Sequence, residues 1–146
     1  MNYLRIFKDL KVFIVDDDYF CSNIYKQELS YAGFCNFYLF KNGEECLKNI
    51  SILPDIIVLD YDMATIDGLQ VIKIIKKMYP SINMVMVSGK KEKQVALEAM
   101  EHGAAAFIRK DGNELEQLSM AANKIVAKYQ HHFSLSKHLQ YPARTA

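Results

Sequence analysis

The fold class this sequence predicts is a doubly wound α/β sandwich of five parallel strands, and three observations predict it. Four apolar runs, Val12 to Val15, Ile56 to Leu59, Ile82 to Val87 and Ala104 to Ile108, are rich in branched residues and too short for helices. Runs of this kind suit strands buried on both faces of a helix-covered parallel sheet. Segments of helical period separate them. The length, 146 residues, fits one domain of roughly 100–200 residues with a full core.

Taken in chain order, Val12 to Val15 predicts the first strand, and Phe20, Ile24 and Leu29 place one face of a helix after it. Cys35 to Phe40 predicts a strand at the sheet edge, because it contains polar Asn36 and follows the Ala32-Gly33 break. A short helix, Glu44 to Asn49, leads to the strand Ile56 to Leu59. Leu69, Ile72, Ile75 and Tyr79 then share a helix face before the strand Ile82 to Val87. Glu92 to Glu101 predicts a helix stopped by Gly103, where a left-handed cap belongs. After the strand Ala104 to Ile108, Asn113 is the N-cap of a last helix, with Glu114 and Glu116 favourable in its first turn. Its stripe Leu115, Leu118, Ala122, Ile125, Tyr129 steps 3, 4, 3, 4. Five β-α units wound right-handedly make the sandwich.

Composition narrows the function. Eighteen Lys and Arg against seventeen Asp and Glu give a formal charge of +1, which offers no electrostatic footprint for nucleic acid or an anionic membrane. No apolar run approaches the roughly 20 residues of a membrane span. The N-terminus lacks a signal-peptide pattern, and Cys21, Cys35 and Cys46 are an odd number without C-x-x-C spacing. Both features predict a cytoplasmic chain with reduced thiols. His102, His131, His132 and His138 lack metal-ligand spacing and are expected at the surface; the seven Met residues are expected to fill the core.

The chemistry gathers where such sheets work, at the carboxyl ends of the strands. The first strand ends in Asp16-Asp17-Asp18, the third in Asp60, the fourth in Ser88 and the fifth in Lys110. Taken singly, each has a structural explanation, and for Asp18 helix capping is the better one. Together on one edge they call for function. Adjacent carboxylates repel and need a partner, naturally a hard cation such as Mg²⁺. Asp60 is a carboxylate nucleophile able to form an acyl phosphate, with Lys110 and Ser88 to hold the phosphoryl oxygens.

The segments KVFIVDDD, PDIIVLDYDMATIDG, MVMVSG and GAAAFIRK resemble, in order and spacing, the response-regulator receiver domains of two-component signalling. The resemblance runs from about Lys11 to Tyr129. It implies a flavodoxin-like sheet of order 2-1-3-4-5, and a receiver over residues 1–130. It implies Asp60 as phosphoacceptor, and Asp16, Asp17, Asp60 and the Asp62 backbone carbonyl as Mg²⁺ ligands. Ser88 and Phe107 would be the switch residues, Lys110 the phosphate-pairing lysine, and the Asp62 side chain and Lys90 modulators. The implied partners are a sensor histidine kinase or phosphotransfer protein. A protein target or second copy would bind the surface built from the helix Glu92 to Glu101, the strand Ala104 to Ile108 and the helix from Asn113.

Two positions depart from the family: Met63-Ala64 replaces its usual Met-Pro, and Asp111 replaces the proline after the lysine. Lys-Asp recurs in receivers that precede a LuxR-type helix-turn-helix, but only 16 residues follow Gln130. The chain therefore reads as a stand-alone receiver or as one cut from a longer protein. Residues 131–146 either extend the last helix through Phe133, Leu135 and Leu139 or form a loose tail. The strongest rival is a haloacid-dehalogenase-like phosphatase, echoed by Asp60-Tyr61-Asp62. That family puts its acidic pair late and a Thr where Ala64 stands, so the expectation is a signalling module that catalyses only its own phosphorylation and dephosphorylation. A phosphorylation-independent interaction module has no positive feature in its favour.

Overall fold

The computed structural model describes residues 3–89 and 93–140, with side chains described for 5–89 and 93–132. Its elements are α1 (Tyr3–Asp9), β1 (Lys11–Val15), α2 (Tyr19–Ala32), β2 (Asn36–Phe40), α3 (Gly43–Lys48), a 3₁₀ turn (Ile50–Ile52), β3 (Ile56–Asp60), α4 (Gly68–Met78), β4 (Asn83–Ser88), α5 (Lys93–Glu101), β5 (Ala106–Arg109) and α6 (Glu114–Gln140). All strands pair in parallel, in the order β2-β1-β3-β4-β5. That is the predicted sheet, with β2 at one edge.

Alternation along each strand feeds two cores. Val12, Ile14, Val58, Val85 and Val87 join Leu29 of α2 and Leu118, Ala122 and Ile125 of α6 on one face. Phe13, Val15, Ile57, Leu59, Met84 and Met86 join Cys46 of α3, Ile72 and Ile75 of α4 and Val95 of α5 on the other. A strand sealed on both faces has no polar alternation, which is why β3 reads IIVLD and is buried throughout. Full burial of each such side chain contributes about 1.5–3 kcal/mol.

Several expectations change. The chain does not start at β1: α1 comes first and plugs the base of the sheet with Phe7, 2% exposed, edge-to-face on Phe34 at 5.0 Å. Gly33, the left-handed cap of α2 (φ 117°), passes so close to this ring that a Cβ would sit 3.3 Å from it. Phe20 is not on the core face of α2; it is 72% exposed, whereas Leu29 is buried as expected, joined by Ser22 and Tyr25, and Ile24 packs against the same core. Asp18 sets that phase, because its carboxylate caps the Phe20 and Cys21 N–H groups and starts the helix one residue before Phe20. Methionines divide: Met84 and Met86 are core, whereas Met78, Met100 and Met120 lie on exposed helix faces. His102, His131 and His132 are exposed, while the His138 side chain lies outside the described residues. Among the described residues no helix is long and apolar enough to cross a membrane.

Candidate functional site at the carboxyl edge of the sheet

Parallel pairing delivers four strand ends to one edge. Asp16 follows β1, Asp60 and Ser88 are the last residues of β3 and β4, and Lys110 follows β5. Backbone bonds continue past the strands and hold these ends together. Asp16 N–H donates to the Phe40 carbonyl at 3.1 Å, Tyr61 N–H to Val87 at 3.1 Å, and Lys110 N–H to Ser88 at 2.9 Å. The site is therefore built on the rigid part of the molecule.

Asp16 and Asp60 are 3% and 6% exposed, Ser88 is fully buried, and Asp17 and Asp62 face solvent. One oxygen from each of Asp16, Asp17 and Asp60 falls within a 4.8 Å cluster. Lys110 Nζ donates to Asp60 Oδ1 at 3.4 Å and stands 3.9 Å from Asp16 Oδ2. Asp16 Oδ1 accepts the Asp18 N–H at 2.8 Å. Asp16 Oδ2, though buried, has no hydrogen-bond donor among the described residues. A buried acceptor without a donor is costly. Together with two further carboxylates in reach, it fits a hard divalent cation such as Mg²⁺, which takes one or two carboxylates and keeps waters.

The charges push one another. Burial raises the Asp16 carboxyl to about 6, opposed by the Asp18 N–H and reinforced by Asp60. Burial also raises Asp60, and Lys110 partly offsets that. Burial would pull the Lys110 ammonium down, but Asp60 and Asp16 outweigh it and raise its pKa. Asp18 stands apart from the cluster. Its carboxylate is held below the usual range by the Cys21 thiol, which donates to it, and by the Cys21 and Phe20 N–H groups. Capping is its work, as expected.

Phe107 on β5 is half-buried against the same core as Met86, its register partner on β4. Lys90 lies outside the described residues. A residue without a predicted role also belongs to the site. Gly68, the first residue of α4, lies against the Asp60 main chain, and its N–H donates to the Tyr61 carbonyl at 2.9 Å. The signal was Asp67-Gly68 ahead of an apolar helix: Asp67 caps α4 in a capping box with Gln70, and Gly allows the close approach.

Residues 12–128 match the family model described as the response regulator receiver domain. A protein-glutamate methylesterase/protein-glutamine glutaminase of Archaeoglobus fulgidus is 33% identical over 123 residues, which are 83% of this chain and 35% of that protein. A putative NtrX-like response regulator of Rickettsia typhi is 36% identical over 107 residues, 71% of this chain and 22% of the relative. The chain thus matches about a third or less of each relative's length. The receiver domain protein of Clostridium thermocellum superposes with a TM-score of 0.75 at 22% identity, covering 83% of this chain and 97% of that one. A CheY-like receiver domain protein of Methanospirillum hungatei JF-1 gives 0.74 at 23%, covering 84% and 99%. Those two likenesses establish the fold, and the family match over residues 12–128 establishes that this chain belongs to the response regulator receiver domains of two-component systems.

Proposed function

We propose that this receiver, residues 1–130 with 131–146 as an extension, takes a phosphoryl group onto Asp60 from a histidine of a sensor kinase or phosphotransfer protein. The observation that carries the reading is the convergence of Asp16, Asp17 and Asp60 oxygens within 4.8 Å, with Lys110 Nζ 3.4 Å from Asp60. An Asp60 carboxylate oxygen attacks phosphorus. The new O–P bond forms as the donor's N–P bond breaks, and that electron pair leaves with the imidazole nitrogen. Asp16, Asp17, Asp60 and the Asp62 backbone carbonyl would hold Mg²⁺, which when bound supplies positive charge to the transferring phosphoryl oxygens. Lys110 pairs with an equatorial oxygen and the Ser88 hydroxyl donates to another. Such catalysis is positioning and electrostatics, suited to side chains fixed at strand ends.

The phosphoryl group then biases two packings. Ser88 moves toward it, and half-buried Phe107 turns into the space behind. The surface from α5 through β5 to α6 changes for a protein target or a second copy. The Asp62 side chain, beside the group, adjusts acyl phosphate lifetime, as does Lys90. The protein works in the cytoplasm as a signalling module that turns over only its own phosphoryl group.

Intact-mass spectrometry with acetyl phosphate tests this. Wild type should gain one phosphoryl group with Mg²⁺ and none with a chelator, and Asp60→Asn should gain none. Labelling of Asp60→Asn at the wild-type rate overturns the assignment.

A further inference from the structure

The opposite edge of the sheet carries a second constellation, remote from the acidic cluster by the length of a strand, roughly 17 Å for five residues. A cavity of about 510 Å³ opens there between the segment 53–55, the segment 79–83 and residues 128–132 of α6. Its size falls within the roughly 300–1,000 Å³ of sites for small organic ligands. Polar groups at its base are locked together. Tyr129 Oη–H donates to Asp55 Oδ1 at 3.3 Å, Asn83 Nδ2–H to Tyr129 Oη at 3.2 Å and to the Asp55 carbonyl at 3.0 Å, and Lys11 N–H to Asp55 Oδ2 at 2.8 Å. Burial first, then the Asp55 carboxylate, pushes the Tyr129 phenol up to about 12, so it stays a donor. The base is preorganised and makes no demand for a cation.

Two further observations point outward from it. Leu53, on the rim, is held in the left-handed region (φ 59°, ψ 67°) and is 54% exposed. A bulky L residue there costs about 1–2 kcal/mol, and a Leu this exposed recovers little of it by packing. The turn is nevertheless tied down: Lys11 Nζ donates to the Ile52 carbonyl at 3.0 Å and Leu53 N–H to Ile50 at 2.9 Å. Lys128 and His132, four residues apart on α6 and so on one face of that helix, line the opposite wall. The Lys128 ammonium and the His132 imidazole thus stand opposite an apolar rim across a fixed polar base.

We propose that this cavity binds a small organic carboxylate built on an apolar ring. The ring rests between Leu53, Pro54 and Tyr79, and the carboxylate pairs with Lys128 and His132. The strained rim is retained because it places an apolar side chain at the mouth. Asp55, already satisfied by two donors, leaves the anion's charge to the α6 side. The inference is independent of the phosphoacceptor chemistry, because no cavity residue belongs to the carboxyl edge.

The test titrates the ¹⁵N-labelled chain with benzoate, benzyl alcohol and benzylamine, followed by amide shifts. Benzoate should give saturable shifts confined to residues 53–55, 79–83 and 128–132, with benzyl alcohol at least about tenfold weaker and benzylamine silent. Lys128→Gln, a solvent-side change that leaves the fold intact, should weaken benzoate about fivefold or more, in keeping with a charge-assisted contact. Leu53→Gly should raise the melting temperature by relieving strain while weakening benzoate. The proposal is overturned by the absence of saturable shifts up to the solubility limit, by equal binding of alcohol and carboxylate, or by a Lys128→Gln variant that binds as wild type.

Discussion

Gly68 lies against Asp60 so closely that a Cβ on it would stand 2.5 Å from the Asp60 carbonyl oxygen and 3.0 Å from the Tyr61 Cα. Both obstacles are main chain, so neither can swing aside. The start of helix α4 is thereby seated against the main chain at the end of β3. Gly68→Ala should destabilise the fold by about 1–3 kcal/mol, the usual cost of overpacking. It should also slow acetyl phosphate labelling of Asp60 at temperatures where the variant is folded. Urea unfolding and intact-mass time courses measure the two effects. A variant of unchanged stability and labelling rate would mean that α4 shifts freely and Gly68 has no positioning role.

Asp16 gives the domain an unusual pH dependence in the absence of metal. Its carboxyl rises from the ordinary 3.8 to about 6, chiefly by burial. Between those values the folded state holds a proton that the unfolded chain has released, so stability falls as pH rises through the window. Above it the full loss remains, on the order of 3 kcal/mol. Burial shifts Asp60 in the same direction. In EDTA, wild type should therefore lose stability relative to Asp16→Asn between about pH 4 and 6, and added Mg²⁺ should recover it for wild type alone. Parallel urea midpoints for the two proteins across that range would refute the shift.

Phe7 ties α1 to the rest of the molecule through its edge-to-face contact with Phe34 at 5.0 Å. Phe→Ala in a core costs about 3–5 kcal/mol. Phe7→Ala should fall in that range, whereas Phe7→Leu should cost less than about 1.5 kcal/mol. Because this contact is at the base of the sheet, the folded Ala variant should still label at Asp60. Loss of labelling in a protein with native circular dichroism would show that α1 reaches the acceptor edge.

The sheet was legible because burial on both faces removes every polar residue from a strand, and Ile56 to Leu59 carries that mark without ambiguity. Strand ends shifted by one or two residues: polar Lys11, Asp60, Ser88 and Arg109 continue the ladder beyond the apolar runs, while Cys35, Ile82, Ala104 and Ala105 fall outside it. The polar cluster at the carboxyl edge was legible because Asp16, Asp60, Ser88 and Lys110 each interrupt or follow an apolar run. Less was visible in α2. Its outward face carries Tyr19, Phe20 and Tyr31, all more than 70% exposed, so apolar period alone turned Phe20 inward along with Ile24 and Leu29, which do pack on the core. The seat against the Asp60 main chain was only half visible: Asp67-Gly68 marks a helix start, but the close approach of Gly68 to β3 is not a property of the sequence pattern. Leu53 has no sequence signal, as left-handed backbone at a Leu is imposed by the contacts around it.

Lys110 and Asp17 should separate metal binding from charge pairing. Lys110 Nζ sits 3.4 Å from Asp60 and 3.9 Å from Asp16, so it neutralises the carboxylates a divalent ion would use. Its removal leaves two buried carboxylates without their cation, and in EDTA at neutral pH Lys110→Ala should be less stable than wild type. Breaking a fully buried pair costs about 3–5 kcal/mol; the Lys110 side chain is 27% exposed, so solvent reduces the loss below that range. The same removal leaves the acidic cluster more negative. Lys110→Ala should therefore bind Mg²⁺ at least as tightly as wild type, and saturating Mg²⁺ should restore much of its stability. Asp17→Ala behaves in the opposite way: it deletes an exposed ligand, barely changes stability in EDTA, and weakens Mg²⁺ binding. Calorimetric Mg²⁺ titrations of the three proteins, each paired with urea unfolding in EDTA and in Mg²⁺, read both quantities. If Lys110→Ala lost affinity as Asp17→Ala does, the lysine would be supporting the cation site and not competing with it, and the division of labour drawn from these distances would be wrong.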